Sequence, residues 1–167
     1  MIRKDALSPG ADLNQLTVLA PNSALGYVKL GQLRIAQGRV NEAEVLYRQG
    51  LNHEPDSIEA LQGLVDVDFR KNKSADAFQL LQSAIEKNPN SAPLYVLQAR
   101  AFLQDKRTTD AEHALERAVQ LDNQNVTAVI LLAELQSSLG ARDQPIATFQ
   151  PAIELAPNNM SLQLALV

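Results

Sequence analysis

Along much of the chain a bulky residue is followed three and four positions later by an apolar and a small one. Tyr27, Leu30 and Gly31 form one such set, followed by Leu61, Leu64 and Val65, and by Val129, Leu132 and Ala133. A second set runs small, bulky, small at spacings of four and three: Ala43, Tyr47, Gly50; Ala77, Leu81, Ala84; Ala111, Leu115, Ala118. Both spacings place their residues on one face of an α-helix, and neither fits the alternation of a strand. Each set returns after 34 residues, and so does a turn: LAPNS at 19–23, HEPDS at 53–57, KNPNS at 87–91, LDNQN at 121–125 and LAPNN at 155–159. A fixed period of this length identifies a stack of supersecondary units, each burying its apolar face against its neighbours.

Each unit reads as two helices. Pro21, Pro55, Pro89 and Pro157 end one helix, because the residue before a proline is biased away from the helical region. The Asn, Asp or Ser that follows can accept a backbone N–H of the next helix. Asp56 with Glu59, Asn41 with Glu44 and Thr109 with Glu112 have the spacing of a capping box. Midway through each unit Gly38, Asn72 and Gly140 share a column suited to the left-handed residue of a tight turn, with Lys106 as the exception. Helices are therefore expected near 24–37, 41–54, 57–71, 75–88, 91–105, 109–122, 125–139 and 143–156. Pro151 predicts a kink in the last of these, whereas Pro145 falls in its first turn, where proline is tolerated. Small residues aligned in the columns of Ala43 and Gly50 predict helices that cross closely, with no room for a larger side chain.

This arrangement resembles the tetratricopeptide repeat, whose 34-residue pattern runs from a bulky residue through Leu-Gly and two Ala positions to a terminal Pro. Tyr27, Leu30, Gly31, Ala43, Tyr47, Gly50 and Pro55 match it in the first row, and Leu61, Leu64, Ala77, Leu81, Ala84 and Pro89 in the second. The third row carries Gln98 and Asn123 at the Leu and Pro positions, and the fourth carries Pro145 at an Ala position. The resemblance implies an all-α, right-handed α-solenoid of antiparallel helix pairs. A single array is expected over 1–167: a partial repeat 11–23, repeats 24–57, 58–91, 92–125 and 126–159, and a partial repeat 160–167. Because MSLQLALV at 160–167 opens a helix without a polar cap, a segment of a longer chain is expected. The alternative is self-association through that uncapped edge. The repeats also resemble bacterial ones.

Composition narrows the functional classes. Basic residues number 15 against 19 acidic, so the net charge is −4 and a phosphate backbone is disfavoured as a partner. There are no cysteines, no apolar run long enough to span a membrane and no signal peptide at the start, so a soluble chain is expected, with cytoplasm and periplasm both open. Chemistry is sparse. His53 precedes a turn, His113 and Glu116 supply only two ligands for a metal, and Ser83, Ser137 and Thr148 lack a histidine at helical spacing. No enzyme activity and no cofactor are expected.

The family resemblance implies that first helices line a concave groove. The stripe turned away from the small-residue seam reads Leu25, Val28, Gln32, Ile35; Glu59, Gln62, Asp66, Phe69; Pro93, Val96, Arg100, Leu103; and Thr127, Ile130, Glu134. Half of these are apolar in a slot expected to face solvent, which points to a protein or peptide partner with apolar anchors. The alternative is that they pack between repeats; Ile35, Phe69 and Leu103, sharing one column, are the residues on which the two readings differ. Some family members grip the terminal carboxylate of chaperone tails with Lys, Asn and Arg in this groove. Here Val28, Gln32 and Gly63 stand where that clamp would begin, so such tails are disfavoured. Arg39, Arg70, Lys71, Lys73, Lys106, Arg107 and Arg142 fall at the mid-repeat turns and predict either a basic ridge or cations that complement helix C-termini. The reading is an interaction scaffold, or alternatively an accessory repeat segment of a larger enzyme or envelope export machine.

Overall fold

The computed structural model describes residues 23–139, and within them every regular element is a helix. The helices are α1 (Leu25–Ala36), α2 (Val40–His53), α3 (Ile58–Arg70), α4 (Ser74–Lys87), α5 (Ala92–Gln104), α6 (Thr108–Leu121) and α7 (Val126–Ser138). These bounds lie within about a residue of those expected from the period. The eighth helix, the kink at Pro151 and both partial repeats lie outside the described residues. The chain divides into two compact units, 1–77 and 78–167, with the division falling inside α4.

In the first unit α1 packs on α2, α2 on α3, and α1 beside α3. Tyr47 of α2 is buried at their junction, and its ring lies against two glycines. A Cβ added to Gly31 would stand 2.5 Å from the ring, and one added to Gly63 would clash with the same ring. Ala43 is wholly buried, and a Cβ added to Gly50 would meet those of Ala60 at 3.3 Å and Ala24 at 3.5 Å, so in this unit the small-residue columns mark helix crossings. In the second unit α5 packs on α6 and α6 on α7, with α5 beside α7. One cluster of this unit holds Ala99, Ala111, Ala114, Leu115, Leu132 and Leu135, with Phe102 and Leu103 packed against it. The rings of Phe78 and Phe102 stack at 4.9 Å, and the Arg107 guanidinium lies 4.5 Å above the Phe102 ring.

The mid-repeat turns close in one way. Gly38 (φ 74°), Asn72 (φ 58°) and Lys106 (φ 61°) each take the left-handed conformation. The next residue then donates its N–H five residues back: Arg39 to Arg34, Lys73 to Asp68 and Arg107 to Phe102, each at 2.8 Å. This is the Schellman closure. Lys106 is an exception in residue type only; its backbone obeys the same geometry. So tight a closure leaves a single residue before the next helix, which overturns two of the expected capping boxes. Arg39 and Arg107 occupy the N-cap positions, and Asn41 and Thr109 are already inside α2 and α6. At the start of α3 the cap is Ser57, whose Oγ accepts from the Ala60 N–H at 3.3 Å, in place of Asp56. Asn125 caps α7 similarly, accepting from the Ala128 N–H at 3.1 Å.

Candidate functional site: a cleft on the first helices

In the first unit a cleft of about 300 Å³ opens between the starts of α1 and α3. Leu25, Val28, Lys29 and Gln32 line it from α1, Glu59 from α3, and Ser23, Glu54 and Ser57 from the turns. The turns are held by side chains. Glu54 accepts from the Ala24 N–H at 2.9 Å, tying the end of α2 to the start of α1. The Tyr27 hydroxyl meets His53 Nε2 at 3.1 Å, and the two rings stack. His53, the exposed last residue of α2, thus holds Tyr27 at the turn. Leu25 stands 53% exposed at the rim, whereas Val28 is 2% exposed and forms the floor.

Of the residues expected to line a groove, the cleft brings together Leu25, Val28 and Gln32, along with Glu59. The exposed face differs from the expected stripe at one position. Its outward members are Leu25, Lys29 and Gln32, each exposed, while Val28 turns inward. The same correction applies to Val96, 7% exposed within a cluster of Ala92, Ala118 and Ala128. The sequence pattern places both valines toward solvent. They lie instead on the flank of the helix that meets its neighbours, where an apolar residue needs no ligand to account for it. Leu103 and Ile130 are half-buried against core clusters of the second unit. Ile35, Gln62 and Phe69 are also half-buried, and Asp66, Arg100 and Glu134 are exposed. None of these eight lines the cleft. Sequence reasoning missed Lys29, although it lies four residues after Leu25 and three before Gln32. Gly63 has a structural cause: the Tyr47 ring leaves no room there for a clamp side chain.

The basic residues at the mid-repeat turns do not make a bare ridge. Arg39 pairs with Glu42 at 2.6 Å, Arg34 with the same carboxylate at 3.2 Å, and Lys73 with Asp76 at 3.7 Å. Lys71 and Arg48 both bond Glu44, and these two bonds hold its carboxyl below the usual range. Arg107 pairs with Asp110 at 2.7 Å. Arg142 lies outside the described residues. Asp68 is the one buried carboxylate among the described residues; burial raises its pKa, and the nearby charges of Asp76 and Glu44 raise it further. Among the described residues no group of three potential metal ligands forms, and no helix is long and apolar enough to cross a membrane.

Comparison with known proteins agrees with this geometry. A Tetratricopeptide repeat family model matches residues 34–101 and again 102–167. A Protein CTR9 homolog of Arabidopsis thaliana is 30% identical over 137 residues, covering 78% of this chain and 12% of the relative. The Beta-barrel assembly-enhancing protease of Yersinia pestis is 30% identical over 152 residues, 91% of this chain and 30% of the relative. The chain thus spans less than a third of the length of either. A thermophilic repeat protein of Thermus thermophilus superposes with a TM-score of 0.69 at 21% identity, over 91% of this chain and 84% of that one, which shows the shared fold. With the 34-residue period, the paired helices and the family model in agreement over most of its length, the chain belongs to the tetratricopeptide repeat family, whose helical arrays generally serve protein–protein interaction.

Proposed function

We propose that the chain is an interaction module that receives a peptide or helix of a partner protein on its first-helix face, at the cleft of Leu25, Val28, Lys29, Gln32 and Glu59. The observation that carries this reading is the pairing, at one cleft, of an exposed Leu25 with polar groups from two helices and their turns. An apolar anchor beside convergent polar groups is the usual form of a peptide site. A photocrosslinking amino acid placed at Gln32, and separately at Gln49 on the exposed face of α2, tests it. Partner protein is expected to crosslink from Gln32 and not from Gln49; the reverse would reject the cleft. Helical arrays of this family are generally non-catalytic.

A second reading has its own support in the small share of each relative that the chain covers. A module matching 30% of a protease is of a size to act as an accessory segment that presents substrate to another domain. Joining the chain to such a domain, and measuring turnover with and without it, distinguishes the readings. Loss of turnover on protein substrates alone favours presentation.

A further inference from the structure

The first unit sorts its charges between its two ends. Toward the mid-repeat turns Arg34, Arg39, Arg48, Lys71 and Lys73 share the carboxylates of Glu42, Glu44 and Asp76. At the cleft the balance is reversed, with Glu54 and Glu59 against Lys29. Glu54 accepts from the backbone N–H of Ala24 and forms no ion pair among the described residues. Glu59 is exposed and forms no ion pair among the described residues, even with Lys29, whose hydrogen bond goes to Gln32 at 3.4 Å. The helix starts at the rim would by themselves favour an anion. Three of the N–H groups there are already engaged: that of Ala24 by Glu54, that of Leu25 by Ser23 and that of Ala60 by Ser57. An incoming carboxylate or phosphate would meet like charge at Glu54 and Glu59.

From this we infer that the cleft takes a Lys or Arg side chain of an extended peptide, set against the Glu59 carboxylate, with a neighbouring aliphatic side chain on Leu25. The inference rests on the peptide-binding reading above and specifies its ligand. The cleft's volume suits one long side chain with its flanking backbone, whose carbonyls Lys29 and Gln32 can reach as donors. The net charge of −4 further favours encounter with a cationic ligand.

Panning a phage library of random short peptides on the chain, and in parallel on its Glu59→Lys variant, provides the test. The wild-type chain should enrich peptides with Lys or Arg next to an aliphatic residue, and the variant should enrich acidic ones. A synthetic peptide from the wild-type selection should bind roughly tenfold more weakly to Glu59→Gln, as loss of one charge-assisted hydrogen bond implies. Enriched peptides that lack basic residues, and whose affinity falls with Leu25→Ala or Gln32→Ala but not with Glu59→Gln, would overturn the basic specificity and leave the cleft standing. Peptides indifferent to all three substitutions, or no enrichment at all, would overturn both. Glu59 and Leu25 are exposed, and thermal melts matching the parent will show that each variant is folded.

Discussion

Tyr47 shows how one side chain fixes the composition around it. Its ring occupies the space where a Cβ of Gly31 or Gly63 would stand, so two helices carry glycine for want of room and against their own propensity. Gly63→Ala should therefore lose about 1 to 3 kcal/mol to overpacking, more than the roughly 1 kcal/mol that alanine adds as a helix former. Urea denaturation will show a lower midpoint. Lys106 is the opposite case, a long side chain held at φ 61°. Lys106→Gly removes the Cβ conflict and should raise stability by about 1 kcal/mol, measurable by the same melt. Asp68 gives a pH-dependent expectation. Its pKa is raised in the folded state, so the folded chain binds its proton more readily, and stability falls as pH rises through that value. Above that value Asp68 therefore weakens the fold. Asp68→Asn should raise the melting temperature at pH 7, with the gain shrinking as pH falls toward the ordinary aspartate range. Glu44 acts in the other direction: its lowered pKa contributes stability that is lost as pH falls through it, so the variant should show acid destabilisation more plainly.

At the scale of the element, helix position was legible in the sequence because period and punctuation agree. Pro55 follows the end of α2, and Asn72 sits one residue past the cap of α3. The caps themselves were not legible. A capping box at Asn41 presumes a turn long enough to place that residue outside the helix, and the single left-handed residue at Gly38 starts α2 at Val40. The exposed face differs from the expected stripe at one position for a related reason. Spacings of three and of four both continue a helical stripe, and burial of Val28 leaves Lys29 as the exposed member. The caps also differ among repeats in a way that can be measured. Ser57 holds the Ala60 N–H, whereas Ser91 at the equivalent position makes no side-chain cap bond. Ser57→Ala should cost about 0.5 to 2 kcal/mol, and Ser91→Ala much less. Equal losses in thermal melts would contradict this assignment.

At the scale of the molecule, the repeat family was readable from four rows in phase, while the cleft was not. A cleft depends on which charges are already engaged, and sequence spacing does not report that: Glu42 and Glu44 are used by cations, and Glu59 is not. Nor does it report that Leu103 and Ile130 are drawn into packing within the second unit. The central claim is that a partner binds at the first-helix cleft of the first unit. Proton–nitrogen correlation spectra of the labelled chain, titrated with a peptide selected on it, test this most directly. The account predicts saturable shifts centred on Leu25, Lys29, Gln32 and Glu59, with little change at Val45 and Gln49 of α2. Shifts centred on Val45 and Gln49, with the cleft unmoved, would contradict it.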